Sequence, residues 1–295
     1  MFRNEFQADG PEGNFLAEEC ILVLVARYKL SLSTWSAAQH VFGRDASTLC
    51  DIFVTTLFLM LRYYCPLIEV ENMCRFKRRS TDFRAAMLKK YRSVLEEPNA
   101  LLPSKFSGIG LMADGSRFKV SRPVSSTKDA DIQRSFYSGH CKAHNINMLG
   151  LVCPNGIRVA TTSVVGRNAD PLLITEHMRE KLDYLNINVL CDGIFGRTER
   201  IRPVERFIRG VPRTKEQEGM SALRIPVEWS FATFTNEYPL VNTPGKLKVF
   251  QTHPLAIFKV GFLLANFKTC FRGENASKYF NMSPPTFRSY VNFGV

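Results

Sequence analysis

The chain has 295 residues, enough for one sizeable α/β domain and a smaller module. Its apolar fraction of 45% excludes a disordered or low-complexity protein. Lys and Arg number 39 against 27 Asp and Glu, and the net charge of +12 favours a polyanionic partner, because each neutralised phosphate releases condensed counterions.

Eight scattered cysteines without a Cys-x-x-Cys pair read as reduced thiols. The N-terminus, MFRNEFQADGPEGN, lacks the charged-then-apolar order of a signal peptide. The longest apolar stretch, Ile52 to Leu61, is half of a bilayer span. A soluble intracellular chain with no membrane partner is therefore expected.

Residues 1–65 read as a small helical unit. Apolar helices at about Phe15–Lys29 and Ala46–Tyr64 flank a shorter one at Ser33–Phe42, with Ser31 or Ser33 as its cap and Gly43 as a turn. A helix, a tight glycine turn and a second helix is the arrangement of helix-turn-helix DNA binders, and equally that of a plain helical bundle. Residues 66–107 read as a connector carrying the basic run Arg75-Phe-Lys-Arg-Arg79. That run suits a solvated helix face, a phosphate contact or a nuclear-import signal.

Residues 108–295 change to short apolar runs bounded by turn residues. Ile109–Ala113, Asn145–Val152 and Ile157–Val165 predict strands, the last two joined by a Pro154-Asn155-Gly156 hairpin. Leu172–Leu185 predicts a helix and Asn188–Cys191 a buried strand. Pro226–Phe234 predicts the start of another helix with Pro226 in its first turn, and Ala256–Phe267 a packing helix. Three strands, a crossover helix and a fourth strand make this region α/β.

Three carboxylates stand where catalysis needs them. Asp114 and Asp192 each follow a predicted strand and precede a glycine, and carboxylates at the ends of neighbouring strands share one crevice. Glu228, four residues after Arg224, can complete the set from a helix. Hydrolysis of a phosphodiester needs an activated water and a stabilised leaving oxygen, which two Mg²⁺ (or Mn²⁺) ions supply when held by oxygen ligands. Asp114, on the central strand, is the expected bridging ligand. Asp-Gly pairs are also ordinary turns, so spacing alone leaves both readings open.

The motifs in order resemble the PIF/Harbinger-like transposases, the superfamily-four DDE endonucleases. The resemblance rests on MADGS at 112–116, on FYSGHCKAH at 136–144, and on the strand pair LGLVCPNGIRVATTSVVG ending in Gly166-Arg-Asn-Ala-Asp170. It continues with CDGIFG around Asp192 and Arg224-Ile-Pro-Val-Glu228, with 35 residues between Asp192 and Glu228. The tail from Asn266 to Tyr290 and the helical front are similar as well. Cys191 stands where the family has Gly, and Phe195 where it has Tyr.

The resemblance implies an RNase H-like mixed sheet flanked by helices, preceded by a helix-turn-helix-like domain. It implies DNA cleavage at terminal inverted repeats followed by strand transfer, in the nucleus. Asp114, Asp192 and Glu228 would hold two divalent ions, with Asp170 as an accessory ligand. DNA at transposon ends and targets, a Myb-like partner protein and a homodimer are the implied partners. A domesticated or decayed descendant that binds DNA without cutting it is the competing reading.

Further residues are candidates for DNA contact. Arg117, Lys119 and Arg122 follow Asp114, and Arg197, Arg200 and Arg202 follow Asp192, although solvated loop charges read the same way. Arg224 joins them through its place in the last motif. His140 and Lys142 read better as strand-edge residues or phosphate contacts than, with Cys141 and His144, as half of a zinc site lacking its second pair.

Overall fold

The computed structural model describes residues 15–30, 35–123, 130–167, 170–204, 212–243, 247–249 and 251–292, apart from the side chains of Ala160 and Asp170. Three helices come first: α1 (Ala17–Lys29), α2 (Trp35–Phe42) and α3 (Ala46–Tyr63). Asp45 caps α3 by accepting from the Thr48 N–H at 2.9 Å, and Gly43 makes the preceding turn at φ +64°. The expected cap at Ser31 or Ser33 lies outside the described residues.

The apolar stripe of α3 is sunk into the protein, with Leu49, Ile52, Phe53, Leu57 and Met60 buried. Its exposed positions are Ser47, Asp51, Phe58 and Arg62, a surface carrying one cation and one carboxylate.

The stretch expected as a connector is structured. Two 3₁₀ segments, Cys65–Ile68 and Val70–Arg79, lead into α4 (Ser80–Leu95). Met73, Phe76, Phe83 and Met87 are buried on one face, with the buried Ser80 between them at the same helical spacing. The basic run is partly engaged: Arg75 donates to the Leu67 carbonyl at 2.6 Å and stacks on Phe76 and Tyr290.

The sheet follows. β1 (Ile109–Lys119) pairs antiparallel with β3 (Ala143–Val152), which pairs antiparallel with β4 (Arg158–Val165). On its other side β1 runs parallel to β5 (Asn188–Asp192), and β5 to β6 (Ile201–Val204). A short β2 (Tyr137–Ser138) after helix α5 (Ala130–Phe136) adds to the start of β3. The β3–β4 hairpin turns at Gly156, φ +85°, where the Asn155 side chain accepts from the Ile157 N–H.

Helix α6 (Glu176–Leu185) crosses over between β4 and β5. It begins later than the sequence suggests, since Thr175 caps it and Asp170–Leu173 is a separate 3₁₀ turn.

Helix α7 (Lys215–Glu237) corrects the expectation for Pro226, which lies in its interior. A capping box between Thr214 and Gln217 starts the helix eleven residues upstream of the proline. Pro226 has no N–H for the Ala222 carbonyl, and the Tyr279 hydroxyl donates to that carbonyl instead, at 3.3 Å. Helix α8 (Pro254–Arg272) and the short α9 (Asn275–Tyr279) and α10 (Phe287–Val291) complete the chain.

One buried cluster joins the helices of the N-terminal part, the sheet strands other than β2 and the C-terminal helices. Phe118 of β1 meets Phe234 of α7 edge-on at 5.7 Å and Phe258 of α8 at 4.7 Å, and Phe234 stacks on Phe262 at 4.4 Å. Such contacts are each worth about 0.5–1.5 kcal/mol beyond area burial. The N-terminal helices share this core: the buried Tyr28 hydroxyl of α1 donates to the Ile257 carbonyl of α8 at 2.7 Å. By length and composition alone α3 and α8 could cross a membrane, but here they pack on one another and on the core. The protein is a mixed α/β fold whose mixed sheet is flanked by helices.

Candidate active site

Strand register brings the two aspartates together. Met112 of β1 pairs with Leu190 of β5 in the parallel ladder. Two residues further along each strand stand Asp114 and Asp192, at one level and on one face of the sheet. The sequence places Asp114 just past its strand, whereas β1 continues to Lys119. Gly115 to Lys119 remain paired with β3, while β5 stops at Asp192. The crevice exists because the parallel neighbour ends.

Glu228 reaches the same face from α7. Arg224, Glu228 and Phe231 lie along one side of the helix, at spacings of four and three. The Arg224 guanidinium bridges the cluster: Nη1 is 3.7 Å from Asp114 Oδ2, and Nη2 donates to Glu228 Oε1. Helix α7 can lie this close because Gly150, the partner of Asp114 on β3, has no side chain. A Cβ there would be 3.0 Å from the Phe231 ring. Arg158 of β4 anchors the next turn, donating to the Ser230 carbonyl at 2.8 Å.

The electrostatics mark a shared site. Burial first, then Glu228 and Asp192, raise the Asp114 carboxyl to about 6, against opposing pulls from Arg224 and from the Gly115 N–H. The Gly115 N–H donates to Asp114 Oδ1 at 2.9 Å, and the Gly193 N–H to Asp192 Oδ1 at 2.6 Å. Cys191, beneath the cluster, has its thiol pushed up to about 12, chiefly by burial and next by Asp192.

The donors are hard oxygens of the kind Mg²⁺ and Mn²⁺ take. Among the described residues, however, no three His, Cys, Asp or Glu side chains are arranged to hold a metal ion. A guanidinium lies between two of the three carboxylates.

The other candidates scatter. Asp170 opens the 3₁₀ turn that packs near Gly193–Phe195, but its side chain lies outside the described residues. Strand alternation turns Arg117 and Lys119 to the face opposite Asp114, and Arg117 lies against Cys141. Arg200 is held by Asp183 and Asn186 at the end of α6, and Arg202 by the Thr198 carbonyl. His140 and Lys142 are exposed on a turn, and Arg197 is exposed on the loop after Phe195. Arg122 bonds to Gln133 beyond the end of β1.

Sequence reasoning missed Gly150 and Phe231 as supports of the site. The spacing of Arg224 and Glu228 was the available signal, because residues four apart on a helix meet. No family model matches the chain, and neither a curated protein nor a solved structure matches it.

Proposed function

We propose that the chain is a divalent-cation-dependent DNA endonuclease of the DDE type, akin to the PIF/Harbinger-like transposases, acting in the nucleus on transposon ends. One observation carries this reading: Asp114 lies within electrostatic reach of both Asp192 and Glu228, which are far from it in sequence, and Arg224 pairs with Asp114 and with Glu228. The mixed sheet flanked by helices is the frame an RNase H-like nuclease domain calls for, and the +12 charge suits a DNA partner.

The three carboxylates are the residues that would hold the cations, with Asp114 shared. Bound there, divalent ions would polarise the phosphate, lower the pKa of an attacking water and stabilise the leaving 3′ oxygen. The chain does the rest. The Gly115 and Gly193 N–H groups fix one oxygen of each aspartate, and the second oxygen of Asp114 faces Arg224, which a bound cation would have to displace. Arg224, paired to two carboxylates, is the cation positioned to orient a scissile phosphate.

A second reading, a non-catalytic DNA-binding descendant, draws on the guanidinium that already neutralises two carboxylates and on the missing three-ligand group. Incubating the protein with terminal-repeat DNA and Mg²⁺ or Mn²⁺ separates the two. Nicking that disappears in Asp114→Ala, Asp192→Ala and Glu228→Ala supports the enzyme. DNA binding without nicking under any divalent ion supports the second reading. Nicking retained in Asp192→Ala but lost in Asp170→Ala would reassign the second ligand.

A further inference from the structure

A second cleft, of about 770 Å³, opens where β1 ends and β3 begins. Its lining includes Arg122, Arg134, Tyr137, His144 and Arg167, and among the described lining residues there is no carboxylate. Arg122 is steered by a neutral partner, donating from Nε and Nη2 to Gln133 Oε1 at 2.9 and 2.7 Å, so its charge is oriented and not cancelled. Arg134 reaches Asp131 at 3.5 Å but is 73% exposed, and Arg167 is exposed.

Tyr137 supplies a flat apolar face. Its side chain is 43% exposed, yet it is fixed by the β2–β3 ladder opposite His144, whose ring meets it edge-on at 5.5 Å. Burial and then the nearby Arg122 lower the pKa of the His144 imidazole. An exposed, rigid aromatic amid guanidinium groups is how proteins hold unpaired bases: the ring stacks on any base while the cations take the flanking phosphates.

We propose that this cleft binds an unpaired nucleotide of a DNA strand, its base stacked on Tyr137 and its phosphates on Arg122, Arg134 and Arg167. The proposal rests on the reading that the chain works on DNA. The position fits a substrate entering the carboxylate site: Lys119, which pairs with Asn145 beside His144, is five residues past Asp114 on one strand. That is about 17 Å of strand, or about five base pairs of duplex.

The test uses the full chain in EDTA, so that binding is read without cleavage. Fluorescence anisotropy compares a labelled blunt duplex with the same duplex carrying a five-nucleotide single-stranded overhang. Wild type should bind the overhang DNA more tightly. Tyr137→Ala should weaken overhang binding by roughly tenfold or more and leave the blunt duplex unaffected, and Tyr137→Phe should keep the preference. Arg167→Ala should weaken overhang binding and lower its salt slope by about one.

Equal binding of the two duplexes by wild type, or an unchanged preference in Tyr137→Ala and Arg167→Ala variants with wild-type circular dichroism, overturns the cleft. Tighter binding of a phosphorylated peptide than of overhang DNA overturns it too. A parallel nicking assay keeps the readings apart. Tyr137-dependent overhang binding without nicking would sink the nuclease and leave the cleft standing. Nicking with no effect at Tyr137 or Arg167 would do the reverse.

Discussion

Gly150 and Phe231 fit together as a notch and a plug: the Phe231 ring lies 3.0 Å from the place a Cβ on Gly150 would take. Gly150 is the cross-strand partner of Asp114, and Phe231 is three residues from Glu228, so this contact sets the gap between two of the three carboxylates. Gly150→Ala should push α7 outward and cost about 1–3 kcal/mol of stability by overpacking. Nicking should fall further than DNA binding does. Phe231→Leu added to Gly150→Ala should recover part of both losses. Undiminished nicking in Gly150→Ala would show that the gap is not set here.

Arg158 and Glu274 form a buried ion pair at 2.8 Å, their side chains 1% and 6% exposed. Glu274→Gln leaves a guanidinium uncompensated in the core and should cost about 3–5 kcal/mol. The double change Arg158→Met with Glu274→Leu should recover most of that, because neither charge is then stranded. Urea denaturation of the three proteins reads both numbers. Since Arg158 also holds the Ser230 carbonyl, the double variant should lose nicking even though it regains stability.

The Asp114 carboxyl, raised to about 6, has a direct consequence for stability in metal-free protein. The native chain binds a proton that the unfolded chain has released between the ordinary carboxylate range and about 6. This group therefore stabilises the fold as pH falls through that window and costs stability as pH rises through 6. Asp114→Asn in EDTA should raise the melting temperature at pH 7.5 and, by only about a third as much, at pH 4.5. The gain is bounded by about 3 kcal/mol. A lower melting temperature at pH 7.5 would contradict the burial argument.

Arg224 is the largest influence opposing that rise. In Arg224→Gln the Asp114 carboxyl should titrate above 6, readable by carbon NMR of labelled aspartate. No upward movement would mean that the guanidinium does not sit between the acids in solution.

Much of the frame was legible in the residues. Apolar runs with turn chemistry located β1, β3, β4 and β5, and the Pro154-Asn155-Gly156 hairpin forms as expected. The three catalytic candidates were legible from their order, and strand register puts two of them side by side. What stayed hidden depends on tertiary contacts. β6 is a four-residue edge strand containing Pro203, which breaks the pattern but is tolerated at a sheet margin. Helix α7 runs through Pro226 with the freed Ala222 carbonyl taken up by Tyr279 from a distant segment. The facing of Arg117 and Lys119 away from Asp114 followed from β1 continuing past Ala113, which depends on pairing with β3. The apolar positions of α4 were masked by the basic run before it.

Whether the three carboxylates act as one cation site is read most directly from Mn²⁺ binding. Electron paramagnetic resonance should follow Mn²⁺ titrated into the full chain at pH 7.5, with and without a terminal-repeat duplex. Wild type should bind the ion at least in the DNA-bound state. Asp114→Asn, Asp192→Asn and Glu228→Gln should each weaken binding by about tenfold or more. Mn²⁺ affinity unchanged in all three variants, or no binding to wild type in either state, would contradict the account.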